Sequence, residues 1–79
     1  MKDIYSIYFD GTDLIEHIYD KRDNLWNEIS NEDRLNDPDY HIYLGIQNGI
    51  LKASKIQNMT HYEVPRLRQL ISLTIKNVA

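Results

Sequence analysis

Asp37-Pro38-Asp39-Tyr40-His41-Ile42-Tyr43-Leu44-Gly45-Ile46-Gln47-Asn48-Gly49-Ile50-Leu51 is the stretch on which the fold turns, because it supports two incompatible readings. Asp37-Pro38 is a helix start: Asp can cap, and Pro at the first helical position gives up an N–H that would have no intrahelical partner. Projected at 100° per residue, Ile42, Gly45, Ile46, Gly49, Ile50, Ala53 and Ile56 share one face. Both glycines then lie where another backbone could approach, which would justify their cost of about 1 kcal/mol each. Against this, Asn48-Gly49 between two apolar runs has the form of a two-residue hairpin turn, pairing Ile46 with Leu51. The poor strand propensity of Lys52-Ala53-Ser54-Lys55 favours the helix.

Upstream, Thr12 to Ile29 changes period. Leu14, Ile15, Ile18, Tyr19, Leu25, Trp26 and Ile29 fall within an arc of about 140°, as an amphipathic helix requires. Thr12 can cap it, with Asp13 and Glu16 in the first turn. Ser30 to Asn36 is polar and aperiodic and reads as a connection. Before the helix, Ile4-Tyr5-Ser6-Ile7-Tyr8-Phe9 suits a short strand that stops at Asp10-Gly11. Downstream, Leu67, Leu70, Ile71, Thr74, Ile75 and Val78 line a final helix. The predicted fold is mainly α, with helices over about 12–29, 38–56 and 64–78 and an N-terminal strand over about 3–9. The alternative is α+β, in which a 40–57 hairpin gives the order β-α-β-β-α. In the helical version the strand has nothing in the chain to pair with, so a dimer or a partner is expected to complete it.

A chain of 79 residues suits one domain, since so short a chain buries only about 60% of its unfolded surface. It has no cysteine, hence no disulfide or thiolate metal site, and small domains without such staples often oligomerise. A homodimer is therefore expected. No stretch approaches the apolar length of a membrane span, and no apolar signal segment opens the chain, so a cytoplasmic location without membrane contact is expected.

Charge is divided along the chain. Residues 1–40 hold 4 basic and 11 acidic side chains, a net of −7; residues 41–79 hold 5 basic and 1 acidic, a net of +4. The acids Asp13, Glu16, Asp20, Asp23 and Glu28 form the polar face of the first helix, whereas Arg66, Arg68 and Lys76 fall on three sectors of the last. Arg22 lies inside the apolar arc, either with its stem along the core edge and its head at an acid or water, or as an interface anchor.

No catalytic constellation is found. Phe9-Asp10-Gly11-Thr12 resembles part of the Asp-x-Asp-Gly-Thr signature of haloacid-dehalogenase-like phosphatases, but Tyr8 stands where the nucleophilic Asp is required. His17, His41 and His61 include no pair at i, i+3 or i+4, so no metal or other cofactor is expected. The reading is a non-enzymatic protein-binding module, a regulator or inhibitor of bacterial or bacteriophage type. Its expected binding residues are Asp13, Glu16, Asp20 and Asp23 with Arg22, and the second apolar patch Tyr40, Leu44 and Leu51. The alternative is a dimeric nucleic-acid-binding regulator using Arg66, Arg68 and Gln69 with Lys52 and Lys55.

Overall fold

The computed structural model describes residues 10–78, with side chains through residue 75. The predicted strand over 3–9 and its pairing lie outside the described residues. Among those described the chain is mainly helical and has no strand: α1 (Gly11–Asn24), α2 (Asn31–Leu35), α3 (Pro38–Gln47), α4 (Ala53–Gln57) and α5 (Glu63–Val78). The hairpin alternative over 40–57 is therefore corrected, and the single helix over 38–56 becomes two helices and a turn.

Helix α1 begins earlier than the sequence suggests. Asp10, not Thr12, is the cap, its Oδ1 accepting from the Asp13 N–H at 3.0 Å. Thr12 instead donates its hydroxyl to the Gln57 carbonyl at 3.2 Å, tying α1 to the end of α4. Gly11 sits where α1 crosses α4: its N–H donates to Met59 O at 2.9 Å, and a Cβ there would overlap the Ile56 carbonyl. The helix stops at Asn24 rather than reaching Ile29, because both the Leu25 and Trp26 N–H groups donate to Lys21 O, which winds the chain out of α-helical register. Trp26 thereby enters the core, while Leu25, predicted on the apolar stripe, is 40% exposed.

The stretch taken as a connection contains α2. Ser30 caps it by accepting from the Asp33 N–H at 3.1 Å, Glu32 and Asp33 occupy its first turn, and Arg34 donates to the Trp26 carbonyl at 2.8 Å. Asp37 caps α3 with Pro38 at its start, as the sequence predicts.

At Asn48-Gly49 the helix ends instead of continuing or reversing as a hairpin. Gly49 takes φ 75°, Ile50 N–H donates to Gly45 O at 2.9 Å and Gly49 N–H to Ile46 O at 3.1 Å, the paired bonds of a Schellman stop. No backbone approaches Gly49, contrary to the expectation from its helical face; a Cβ there would meet nothing within 4 Å. Gly45 does meet a close neighbour, the Leu51 side chain folding back over it.

The core is Leu14 and Ile18 of α1, Trp26, Ile42 of α3, Ile56 of α4 and Val64 of α5. Fully burying an aliphatic side chain of this kind contributes about 1.5–3 kcal/mol. On α5 the inward face is Val64, Leu67 and Ile71; Leu70 and Leu73 are 55% and 49% exposed, so Leu70 leaves the predicted core stripe.

Candidate functional site

Two features are built where the helices converge, one polar and closed, one apolar and open. The polar one grows from the start of α3. Asp37, as cap, accepts the Asp39 N–H on Oδ1 at 3.0 Å and the Trp26 indole N–H on Oδ2 at 3.1 Å. Lys21, in the last turn of α1, donates from Nζ to Asp37 Oδ2 and Asp39 Oδ2, each at 3.0 Å. From α5, Arg68 grips Asp39 with both arms of its fork, Nε to Oδ1 and Nη2 to Oδ2, again at 3.0 Å. His17 Nε2 stands 3.7 Å from Asp39 Oδ2, beyond hydrogen-bond range.

Asp39 is only 3% exposed and is the buried charge of the described core. Two carboxylates face two cations drawn from α1 and α5, so the charge of buried Asp39 is balanced by partly exposed Lys21 and Arg68. Burial opposes the charged form of Lys21, but its bonds to Asp39 and Asp37 outweigh this and raise its pKa. Burial likewise opposes ionised Asp37, yet the donors Lys21, Trp26 and Asp39 N–H lower its pKa. With the Asp39 oxygens occupied by three charged hydrogen bonds, this arrangement clamps α1, α3 and α5 together. Among the described residues no three His, Cys, Asp or Glu side chains converge to hold a metal ion.

The apolar feature is an open groove of about 260 Å³ between the C-terminal half of α3, the turn after it and the second half of α5. Leu44, Leu51, Ile71 and Ile75 supply its walls, Gly45 its floor, and Ile50 stands at its rim with 78% of its surface exposed. The Leu51 side chain can fold over α3 because Gly45 has no Cβ.

The residues expected to bind are distributed between these features. Asp13, Glu16, Asp20 and Asp23 are all exposed along α1. Arg22 pairs with Asp23 at 2.9 Å and lies over the Tyr19 ring at 4.8 Å. Leu44 and Leu51 line the groove together. Tyr40 does not join them: its ring packs edge-on against Trp26 at 5.0 Å, in an aromatic cluster with Tyr43. Of the alternative set, Lys52, Lys55, Arg66 and Gln69 are exposed, whereas Arg68 is half-buried on Asp39. Sequence reading missed the hub around Asp39. The spacing Lys21–Asp39–Arg68 carries no periodic signal, because each residue comes from a different helix.

No protein-family model matches the chain, no curated protein matches its sequence, and no solved structure matches its fold.

Proposed function

We propose that this domain is a non-enzymatic protein-binding module that docks a polypeptide in the groove lined by Leu44, Leu51, Ile71 and Ile75, and so regulates or inhibits its partner. The observation that carries the reading is the groove itself, an apolar concavity with an exposed Ile50 at its rim on a small polar domain. The exposed acids of α1, Asp13, Glu16, Asp20 and Asp23, supply a field that steers a basic partner toward the domain. The Ile-, Asn- and Asp-rich composition suits a protein of bacterial or bacteriophage type. No helix among the described residues is long and apolar enough to cross a membrane.

A nucleic-acid reading draws less support, since Arg68 is committed to Asp39 and the remaining cations Arg66, Lys52 and Lys55 share their half of the chain with exposed Leu70 and Leu73.

Selection from a displayed peptide library, followed by amide and methyl shift mapping with isotope-labelled protein, tests the groove. Selected peptides are expected to move the Gly45 and Gly49 amides and the Leu44, Leu51, Ile71 and Ile75 methyls. Thr74→Lys, at an exposed lining position, is expected to weaken their binding about tenfold without unfolding the protein. Peptides that move only other surfaces, or that ignore Thr74→Lys, sink the proposal.

A further inference from the structure

We infer that Asn48 is a site of spontaneous deamidation, in which the Gly49 backbone nitrogen attacks the Asn48 side-chain amide, and that the helix stop at the end of α3 gates the reaction. The modification needs no enzyme, turns a neutral amide into a carboxylate, and does not depend on what the groove binds.

Attack on the side-chain carbonyl closes a five-membered ring through the backbone of the next residue, so a side chain on that residue hinders it and glycine does not. Of the seven asparagines only Asn48 is followed by glycine; the others precede Leu25, Glu28, Glu32, Asp37, Met59 and Val78. Asn48 and Gly49 are both exposed, and nothing lies within 4 Å of where a Gly49 Cβ would stand, so the ring has room to form. Asn24 and Asn27 are held in addition by their side chains, whose Nδ2 atoms donate to the Asp20 carbonyl at 3.1 Å and the Arg22 carbonyl at 3.2 Å. The Asn48 side-chain amide makes no such bond among the described residues.

In the reaction the Gly49 nitrogen gives up its proton and bonds to Asn48 Cγ, the Cγ–Nδ2 bond breaks, and the side-chain nitrogen leaves as ammonia with that proton. Water then opens the cyclic imide at either carbonyl, its hydroxyl going to the carbon and its other proton back to the Gly49 nitrogen. The net change is asparagine and water to ammonia and aspartate, or to ammonia and isoaspartate where the backbone-side C–N bond is the one that breaks. In the fold the Gly49 N–H is engaged, donating to Ile46 O at 3.1 Å beside the Ile50 N–H bond to Gly45 O at 2.9 Å. Its nitrogen therefore reaches Cγ only when the stop opens, a local event at an exposed helix end that needs far less free energy than global unfolding. The product carboxylate stands at the C-terminus of α3, the unfavourable end of its macrodipole. No basic residue occupies that last turn, and residues 41–51 contain no Asp, Glu, Lys or Arg. Isoaspartate also adds a carbon to the main chain inside both hydrogen-bonded loops of the stop. The turn is thereby loosened, and with it the wall that Leu51 gives the groove.

Incubation of the full chain in neutral buffer, followed by peptide mapping with mass spectrometry, tests the site. A gain of about 1 Da is expected on Asn48 at least about tenfold faster than on any other asparagine. In guanidinium chloride the same conversion is expected at least about tenfold faster than in the folded protein, because the rate follows the population of the open stop. Leu51→Ala keeps Asn48-Gly49 but removes the side chain folded over Gly45; it is expected to speed both amide loss at Asn48 and hydrogen exchange at Gly49 and Ile50. Asn48→Asp, which installs one of the two products, is expected to speed that exchange and to lower the urea midpoint. An Asn48 that deamidates no faster than the other asparagines overturns the site. Equal rates with and without denaturant, or a rate that stays fixed in Leu51→Ala while exchange at Gly49 rises, overturn the gate.

Discussion

Asp39 concentrates the electrostatics of the domain in one side chain. Taking a carboxylate to 3% exposure is costly, and the bonds from Lys21 and Arg68 offset that cost only while both cations remain. Asp39→Ala leaves Arg68 without its carboxylate and Lys21 with Asp37 alone, and is expected to lower the unfolding free energy by about 2–3 kcal/mol, read from urea denaturation. Asp37 gives the pH dependence a sign. Its pKa is lower in the fold than in the unfolded chain, so its contribution is present above the ordinary aspartate range and disappears as pH falls through it, below about pH 4. Lys21, whose pKa is raised, contributes fully below its unfolded value of 10.5 and loses that contribution as pH rises through the folded one. From these two groups, urea midpoints are expected to be level between about pH 5 and about pH 9 and to fall on either side. Asp37→Asn, which keeps a capping amide oxygen but not the charge, is expected to cost about 2 kcal/mol at pH 7 and to flatten the acid limb.

At the scale of the element, the boundaries are set by caps and stops more than by propensity. The reading of Asn48-Gly49 illustrates the physics. A glycine at positive φ serves a type I′ hairpin turn and a Schellman helix stop equally well, and both are followed by apolar residues. Local sequence therefore identifies a place where the chain turns without saying how. In the structure, the Ile50 N–H finds Gly45 O and α3 ends there. Gly49→Ala is expected to cost about 1 kcal/mol through backbone strain alone, since nothing crowds its Cβ. Gly11→Ala is expected to cost several times as much in the same thermal or urea assay, because the new methyl would collide with a carbonyl of α4 that cannot rotate away. Ser30→Ala, removing the cap of α2, is expected to cost about 1 kcal/mol.

Across the whole molecule, α1, α3 and α5 are joined twice, by the core around Leu14, Ile18, Ile42 and Val64 and by the hub around Asp39. A double-mutant cycle tests whether the hub acts as a unit: Lys21→Met and Arg68→Met are expected to be non-additive by at least about 0.5 kcal/mol, since they share one carboxylate. The hub also changes the meaning of the charge split, because Arg68 of the basic half is the counter-charge of Asp39 in the acidic half, while Asp13, Glu16, Asp20 and Asp23 remain at the surface. By itself the sequence determined the helical periodicity of α1, the Asp37-Pro38 start of α3, the extent of α5 and the acidic outer face, since each follows from spacing within one segment and needs no distant residue. Only the tertiary structure decided that Asn48-Gly49 stops a helix, that Tyr40 turns toward Trp26, that Arg68 is held by Asp39, and that Leu44 and Leu51 share a groove with Ile71 and Ile75. These depend on which residue from another segment arrives opposite, and a chain whose contacts are made between helices carries that information only in how they pack.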